Sequence, residues 1–305
     1  MTFKHWMVGS LWLLIACGKK TPEVGPPVRT VATLPPLKVV EVAPNSPEAQ
    51  TAIEAALRAA VKKPEGPLSP TDLARIKRLT INRAEITDLK PFAKLTGLTR
   101  LDLEANQITD LSPLIGLSNL RTLALSGNQI SDLTPLTRLP SLVTLRLESN
   151  RITDLSMLSH LTVLRELLLA ENEIVDLTPL KPLNELRELN LKRNKVEQLG
   201  PLGKLPGLKV LSVSNNQIPN RELETLAVSQ SIGALLIGYN PITDITPLGR
   251  MQKLEELDLS GNDIQDLTPI TRLKLMRELF LYGENFDPAK IEALEKQMPE
   301  CDFHY

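Results

Sequence analysis

The sequence predicts an α/β repeat solenoid, a horseshoe or arc with a concave parallel β-sheet, 3₁₀ or short helical turns on the convex side and helical caps at both ends. Two recurrences predict it: a Leu-x-Leu segment returns every 22 residues, and an asparagine follows it at a constant distance. Composition agrees. Apolar residues make up 42% of the chain but aromatic residues only 3%, which suits a thin repetitive core.

The repeat is clearest in the segment from Leu101 to Ile108, which returns as Leu123 to Ile130 and continues in the same frame. One interval of 24 residues follows Asn216, and the frame then resumes. Ten repeats therefore span residues 79–286, with Ala84 and Glu284 in the outermost asparagine positions. The asparagines expected to form a structural ladder are Asn106, Asn128, Asn150, Asn172, Asn194, Asn216, Asn240 and Asn262.

Each repeat position has a physical reason. Alternation in Leu-x-Leu indicates a short strand with both leucines facing inward. The asparagine amide can accept from and donate to backbone groups that no strand satisfies. Further on, each repeat tends to contain a Ser-Pro or Thr-Pro pair such as Thr134-Pro135. We expect the hydroxyl to cap a short helical turn whose first residue is the proline.

This pattern strongly resembles the leucine-rich-repeat family, in particular the 22-residue, internalin-like class of bacterial surface proteins. The motif Leu-x-Leu-x-x-Asn-x-Ile-x-Asp-Leu-x-Pro-Leu is present almost unchanged over about two-thirds of the chain. The resemblance implies a stacked parallel sheet and a protein-binding rather than a catalytic role.

The repeat between Asn216 and Asn240 departs from this motif. It lacks Asp-Leu-x-Pro-Leu, and its apolar residues Leu223, Leu226 and Ala227 are spaced as in an α-helix, which we expect Asn220 to cap. A neutral variation in repeat length is the simpler reading, and a special site is the alternative.

A solenoid needs caps at both ends. Residues 46–78 predict an N-terminal helical cap: an amphipathic helix from Pro47 to Val61 that Ser46 begins, then a shorter helix with a capping box at Ser69. Residues 287–305 predict a C-terminal cap, in which a helix is followed by an alternating tail resembling a last strand. Cys301 is expected to be a buried residue of that cap.

The N-terminus predicts a targeting segment. Residues 1–16 include an apolar run too short to span a bilayer permanently. The run ends in Leu14-Ile15-Ala16-Cys17, which resembles the bacterial lipobox and implies cleavage before Cys17 and its lipidation, including an acyl chain such as palmitate. The alternative is an ordinary signal peptide with an incidental cysteine.

Residues 17–45 form a proline-rich linker that we expect to be disordered. Together with the lipobox it indicates a protein anchored by lipid in the bacterial cell envelope. Gly18 follows the cysteine, where the family rule associates aspartate with inner-membrane retention, so the outer membrane is the expected location.

The chain offers little chemistry for an enzyme. The net charge is −1, with no basic patch for nucleic acid, and no catalytic triad, metal-spaced cluster or phosphate loop is present. We therefore expect no enzyme activity, no cofactor and no metal. Aspartates in one repeated position, Asp88, Asp110, Asp132, Asp154, Asp176, Asp244 and Asp266, are expected to accept backbone hydrogen bonds within their own turns; calcium binding is the alternative.

Outward-facing strand residues are the candidate binding surface. Leu236, Phe280 and Tyr282 suggest an apolar anchor with an acidic rim, although Phe280 and Tyr282 packing on the C-terminal cap fits the sequence equally well. The predicted partner-binding residues are Glu166, Leu168, Glu188, Leu236, Glu256, Asp258, Glu278, Phe280 and Tyr282.

The resulting expectation is a monomeric, non-catalytic protein that binds an unknown protein ligand in recognition or adhesion. The alternative is a structural or assembly scaffold of the envelope that faces the periplasm.

Overall fold

A single parallel β-sheet runs through the protein in the computed structural model, which describes residues 34–37, 40–283 and 288–305. Eleven three-residue strands lie in the described part of the chain, and they pair in the order in which they occur in the sequence. They are β1 (Arg78–Thr80), β2 (Arg100–Asp102), β3 (Thr122–Ala124), β4 (Thr144–Arg146), β5 (Glu166–Leu168), β6 (Glu188–Asn190), β7 (Val210–Ser212), β8 (Ala234–Leu236), β9 (Glu256–Asp258), β10 (Glu278–Phe280) and β11 (Asp302–His304).

The strand register follows from the repeat length. Leu101 of β2 pairs with Leu79 of β1 and Leu123 of β3, so the central leucine of each strand stacks on its equivalents. These three leucines are at most 4% exposed. The predicted α/β repeat solenoid is confirmed: each repeat buries its inward leucines only against its neighbours.

Short 3₁₀ turns connect most of the successive strands. They are Lys90–Phe92, Ser112–Leu114, Thr134–Arg138, Ser156–His160, Thr178–Leu180, Leu202–Lys204, Thr246–Arg250 and Thr268–Arg272. The predicted capping hydroxyl is wrong. The Ser or Thr is the first residue of its turn, and the residue in the capping position is a leucine such as Leu111, without a side-chain cap.

In seven of the eight 3₁₀ turns of the described residues, an aspartate two residues before the first residue of the turn accepts the hydrogen bond instead. Asp110 Oδ1 accepts from the Ser112 N–H at 2.8 Å, and the other six aspartates in this position bond in the same way. The expectation that each carboxylate serves its own turn is confirmed. The hydroxyl was a plausible but wrong candidate because the Ser-Pro pair resembles the start of an ordinary α-helix.

The asparagines form a ladder between the sheet and these turns. Asn172 donates to the carbonyls of Leu147 and Leu169 at 2.9 and 3.0 Å and accepts from the Ile152 N–H at 3.0 Å. Asn128, Asn150, Asn194 and Asn216 repeat this arrangement. Buried backbone groups that the strands leave unpaired are thereby satisfied.

The departing repeat contains the helix α3 (Arg221–Leu226). Asn220 does not cap it, contrary to expectation; its Oδ1 instead accepts from the Thr243 N–H of the next repeat at 2.9 Å. The helix requires Gly203 in the preceding repeat, because a Cβ there would lie 2.0 Å from the Thr225 carbonyl oxygen. The extra residues are thus accommodated by close packing with the neighbouring repeats.

At the N-terminal end, the helices α1 (Pro47–Val61) and α2 (Pro70–Arg75) are present, and α1 packs on β1. Ser46 accepts from the Ala49 N–H, and Ser69 forms a capping box with Asp72, as predicted. The predicted disorder of residues 17–45 is wrong for the last residue of that range. Asn45 is 7% exposed, and its Oδ1 accepts from the Thr87 N–H at 2.8 Å.

At the C-terminal end, the helix α4 (Pro288–Gln297) precedes β11, which pairs with β10. Ile291, Leu294 and Met298 are buried, and Cys301 is 9% exposed, so the predicted cap and its buried cysteine are confirmed. Asn45 contacts the first repeat and the C-terminal cap contacts the last, so the repeats that carry the candidate site lie between them.

The predicted signal segment, the lipobox with Cys17 and most of the linker lie outside the described residues, as do Glu284 and Phe286 at the end of the last repeat. Among the helices that are described, none combines the length and apolar character needed to cross a bilayer.

Candidate functional site

The candidate site is the sheet face, which we define as the outward side chains of β1–β11 and of the three residues that follow each strand. The structure divides the predicted binding residues into two groups. Glu166, Leu168 and Glu188 lie on β5 and β6, and the remainder, Leu236, Glu256, Asp258, Glu278, Phe280 and Tyr282, lie on or next to β8–β10. The intervening strand β7 presents Val210 and Ser212. Within the second group, register places Leu236 beside Asp258 and Glu256 beside Glu278.

Glu166 is already paired within the protein. Its Oε1 lies 2.9 Å from Arg146 Nη2 and 3.1 Å from Arg146 Nε. Hydrogen bonding with Glu166 raises the pKa of Arg146, against the opposing effect of burial, which is the largest single influence. The β5–β6 part of the sheet face therefore carries carboxylates whose charge is partly neutralised by this arginine.

Phe280 packs on the C-terminal cap rather than facing solvent freely. Its ring stacks on the ring of His304 in β11, with centroids 4.4 Å apart and an interplanar angle of 11°. Tyr282 differs: its side chain is 49% exposed, and its ring centroid lies 6.3 Å from that of Phe280. Of the two readings that the sequence left open, cap packing describes Phe280, and exposure describes Tyr282.

Ser260, the buried residue between Asp258 and Gly261, connects the groups around Tyr282. Its Oγ accepts from the Tyr282 N–H at 3.0 Å, and its own N–H donates to Asp258 Oδ1 at 2.9 Å. Its carbonyl accepts from the Tyr239 N–H at 2.6 Å. One residue, 3% exposed, therefore fixes the backbone of two tyrosines and the carboxylate of an aspartate.

Tyr239 was not among the predicted binding residues. It is 52% exposed and has a φ of 56°, the left-handed conformation shared by the residue before each ladder asparagine. Its ring lies over Gly261, where a Cβ would be 2.4 Å from Tyr239 Cδ1. A sequence signal existed: the equivalent positions hold small or polar residues such as Ala105 and Ser149, so an aromatic residue there is unusual.

Four carboxylates lie on the strands β9–β11: Glu256, Glu278 and Asp302 at the first position of each strand, and Asp258 at the end of β9 beside Ser260. Register aligns Glu256 with Glu278 and Glu278 with Asp302 on adjacent strands, which lie roughly 4.8 Å apart. Among the described residues none of the four forms an ion pair with a Lys, Arg or His. Burial, then repulsion from Glu278 and Asp258, raises the pKa of Glu256.

The opposite end of the sheet face carries mixed charge. Arg100 lies 3.7 Å from Asp102, and Ser126 donates to Glu148 at 2.5 Å. Burial raises the pKa of Glu104, with smaller contributions from Asp102 and Glu148, while Arg146 and Arg100 lower it. Positive and negative groups thus compensate each other here.

Each aspartate of the 3₁₀ turns accepts a backbone hydrogen bond at Oδ1. Hydrogen bonds from Thr246 lower the pKa of Asp244, and hydrogen bonds from Thr268 lower that of Asp266. Over residues 34–37, 40–283 and 288–305, no group of three or more His, Cys, Asp or Glu side chains is arranged to hold a metal ion.

Comparisons with known proteins agree with this architecture. A family model for leucine-rich repeats in two copies matches residues 118–160, 184–228 and 235–271, and a further leucine-rich-repeat model matches residues 74–130. Together they match more than half of the chain. A comparison with curated proteins finds no match.

Several solved structures are similar. An internalin, InlF, from Listeria monocytogenes is 26% identical with a TM-score of 0.68, covering 90% of this chain and 98% of that one. Internalin C2 from the same organism is 28% identical with a TM-score of 0.60, covering 82% and 100%. The ectodomain of the plant receptor kinase GASSHO1/SCHENGEN3 from Arabidopsis thaliana, solved in complex with Casparian strip integrity factor 2, shares the fold at 24% identity and a TM-score of 0.58, covering 73% and 29%. The chain belongs to the leucine-rich-repeat family, and its repeats are of the internalin-like class.

Proposed function

We propose that this protein is a lipid-anchored component of the bacterial cell envelope that binds a protein partner through its sheet face, in recognition or adhesion and without catalysis. Leucine-rich-repeat proteins of the internalin-like class generally mediate protein–protein interaction. The observation that carries the proposal is the pair of half-exposed tyrosines, Tyr239 and Tyr282, whose backbones bond to Ser260 together with the Asp258 carboxylate. Exposed aromatic residues with a polar surround are typical of the energetic centre of an interface.

The binding half of this proposal is tested by comparing two faces of one molecule. Glu256→Lys and Glu278→Lys reverse charge on the sheet face, and Glu197→Lys makes the same change at an exposed position near a 3₁₀ turn. We expect the sheet-face changes to weaken binding of an affinity-captured partner by tenfold or more, roughly the effect of losing one buried charge contact. Equal losses from both kinds of variant would contradict the proposal.

The anchoring half rests on the sequence Leu14-Ile15-Ala16-Cys17 and on the proline-rich stretch that follows it. An extended linker of this kind adds roughly 3 Å per residue, enough to hold the repeats clear of a bilayer. Cys17→Ala should release the protein from the membrane fraction. Retention of the variant in that fraction would contradict lipid attachment at this residue.

Exposure on the cell separates recognition from a scaffold that faces the periplasm. We propose the outer membrane and a surface orientation, so that protease added to intact cells should digest the repeats. Protection of the repeats until the outer membrane is opened would favour the scaffold instead.

A further inference from the structure

The C-terminal end of the sheet face has the composition of a site for a positively charged group. The outward positions of β8–β11 and the residues following these strands contain three tyrosines, Tyr239, Tyr282 and Tyr305, and four carboxylates but no lysine or arginine. Elsewhere on the sheet face, arginines such as Arg100 and Arg146 lie beside the acidic residues. Lys274 and Arg277 line a cavity together with Glu278 and Asp302 at the start of β10. The deficit of positive charge is therefore local to the other end of these strands, around Asp258, Tyr239 and Tyr282.

Close repulsion between the carboxylates costs free energy that a bound cation would recover. Glu256 lies between strands that carry Glu278 and Ala234, and its nearest charged neighbours are themselves acidic. Like charges directly opposite on neighbouring strands destabilise a sheet. The same repulsion affects protonation: burial, followed by the charges of Glu278 and Asp258, raises the pKa of Glu256.

The tyrosines supply a second, independent preference for a cation. The negative face of an aromatic ring attracts a guanidinium or ammonium group placed over it. Tyr239 and Tyr282 are each about half exposed, so each ring leaves surface for a ligand. Tyr239 covers Gly261, which leaves one ring face against the protein and the rest directed to solvent.

The backbone around the tyrosines and the Asp258 carboxylate are also preorganised. Through its N–H, its carbonyl and its Oγ, Ser260 bonds to the carboxylate of Asp258 and to the backbones of Tyr239 and Tyr282. Gly238 lies against the same carboxylate, because a Cβ at that position would be 3.1 Å from Asp258 Oδ2. Groups fixed before binding lose little conformational entropy when a ligand arrives.

We infer that this tyrosine patch, formed by Tyr239, Asp258, Ser260, Gly261 and Tyr282, takes an arginine side chain from a basic segment of the partner protein. Arginine fits better than lysine because its planar guanidinium stacks on an aromatic ring while donating two parallel hydrogen bonds to a carboxylate. The inference rests on the proposed function and specifies the chemistry of its partner.

The test uses the full chain carrying Cys17→Ser and a fluorescein-labelled peptide in which arginine alternates with glycine. A matched peptide replaces each arginine with citrulline, which keeps the shape and removes the charge. Fluorescence anisotropy gives the dissociation constant of each. We expect the arginine peptide to bind and the citrulline peptide to bind at least tenfold more weakly. Equal binding of the two peptides would overturn the inference.

Substitutions then locate the site. Tyr239→Leu and Tyr282→Leu, which keep apolar bulk and remove the ring, should each weaken arginine-peptide binding roughly two- to fivefold. Tyr239→Phe and Tyr282→Phe, which keep the ring, should retain it. Asp258→Asn should also weaken binding, and Glu197→Gln, distant from the patch, should not. If the leucine and phenylalanine variants bind alike, the rings do not contact the cation and the inference fails.

Two further outcomes separate this inference from its foundation. A captured protein partner that depends on Glu188 and Leu168 but is unaffected at Tyr239, Asp258 and Tyr282 would refute the inference and leave the proposed function intact. Concentration-dependent dimerisation of the chain that the tyrosine variants abolish would make a second copy the source of the arginine, and would overturn the assignment to a foreign partner.

Discussion

Replacing one interior asparagine of the ladder is a quantitative test of how the repeats are held together. In Asn172→Ala, the Ile152 N–H loses its acceptor, because Asn172 Oδ1 is its partner at 3.0 Å and Ile152 is fully buried. The two carbonyls are affected less. Leu147 still accepts from Asn150, and Leu169 still accepts from Asn194.

The magnitude follows from this difference. A buried donor left without a partner costs about 1–3 kcal/mol, and each lost hydrogen bond whose acceptor keeps another partner costs roughly 0.5–1 kcal/mol. We therefore expect Asn172→Ala to lower the free energy of unfolding by about 2–5 kcal/mol. The exposed Asn184 makes a suitable control, since Asn184→Ala should change that free energy by less than about 0.5 kcal/mol.

Urea unfolding of the Cys17→Ser chain, followed by circular dichroism, measures both variants. A loss at Asn172 of less than about 1 kcal/mol, or a loss equal to that at Asn184, would refute the reasoning. It would mean that the ladder is replaceable by water or by backbone adjustment. Hydrogen exchange at the Ile152 amide gives an independent check, because that amide should lose its protection locally in Asn172→Ala.

Three further changes test other parts of the structure. Gly203→Ala should destabilise the chain by about 1–3 kcal/mol in urea unfolding, because its Cβ would overlap a backbone carbonyl of α3. Gly116→Ala, which has open space around it, should not destabilise the chain. Equal effects of the two variants would refute the close packing at Gly203. Burial raises the pKa of the Cys301 thiol to about 11. In a Cys17→Ser chain this thiol should therefore be alkylated slowly at pH 8, and its contribution to stability should be lost as the pH rises from about 9 towards 11. Alkylation as fast as in urea would contradict burial. Hydrogen bonds from Ser69 lower the pKa of Asp72 to about 2. The cap of α2 should therefore be fully present above the pKa of this carboxyl in the unfolded chain, and be lost only as the pH falls towards 2. A midpoint near 4 for Asp72 in an NMR titration would contradict the capping box.

The scaffold was predictable because its information is local and repeated. A fixed spacing of 22 residues determines which leucines stack, and therefore the register of β1–β10. The caps were predictable for the same reason, since Ser69 and Asp72 are three residues apart and form their hydrogen bonds within one turn.

Long-range partners were not predictable in this way. Asn45 bonds to Thr87, 42 residues later, and no feature of a proline-rich stretch indicates such a contact. Asn220 was assigned to its own helix because a cap is the usual local role of asparagine, but its partner lies in the next repeat.

The candidate site was predictable only as a set of outward positions. Alternation along the strands identified Glu256, Asp258 and Tyr282 as outward residues, and their lateral neighbours followed from the register. Alternation did not identify His304 as the ring on which Phe280 stacks, because these two residues are 24 positions apart and lie outside the 22-residue spacing. Nor did it reveal Tyr239, which lies in a turn whose left-handed backbone directs its ring over Gly261.

The central claim is that this protein binds its partner through the sheet face. The most direct measurement is the dissociation constant of an affinity-captured partner for three chains: the unaltered protein, Glu256→Lys with Glu278→Lys, and Glu197→Lys with Glu292→Lys. We predict a loss of tenfold or more in the first double variant and a change of less than about twofold in the second, whose residues lie near a 3₁₀ turn and in α4. Binding that survives the sheet-face changes but is lost with the other pair would contradict the account.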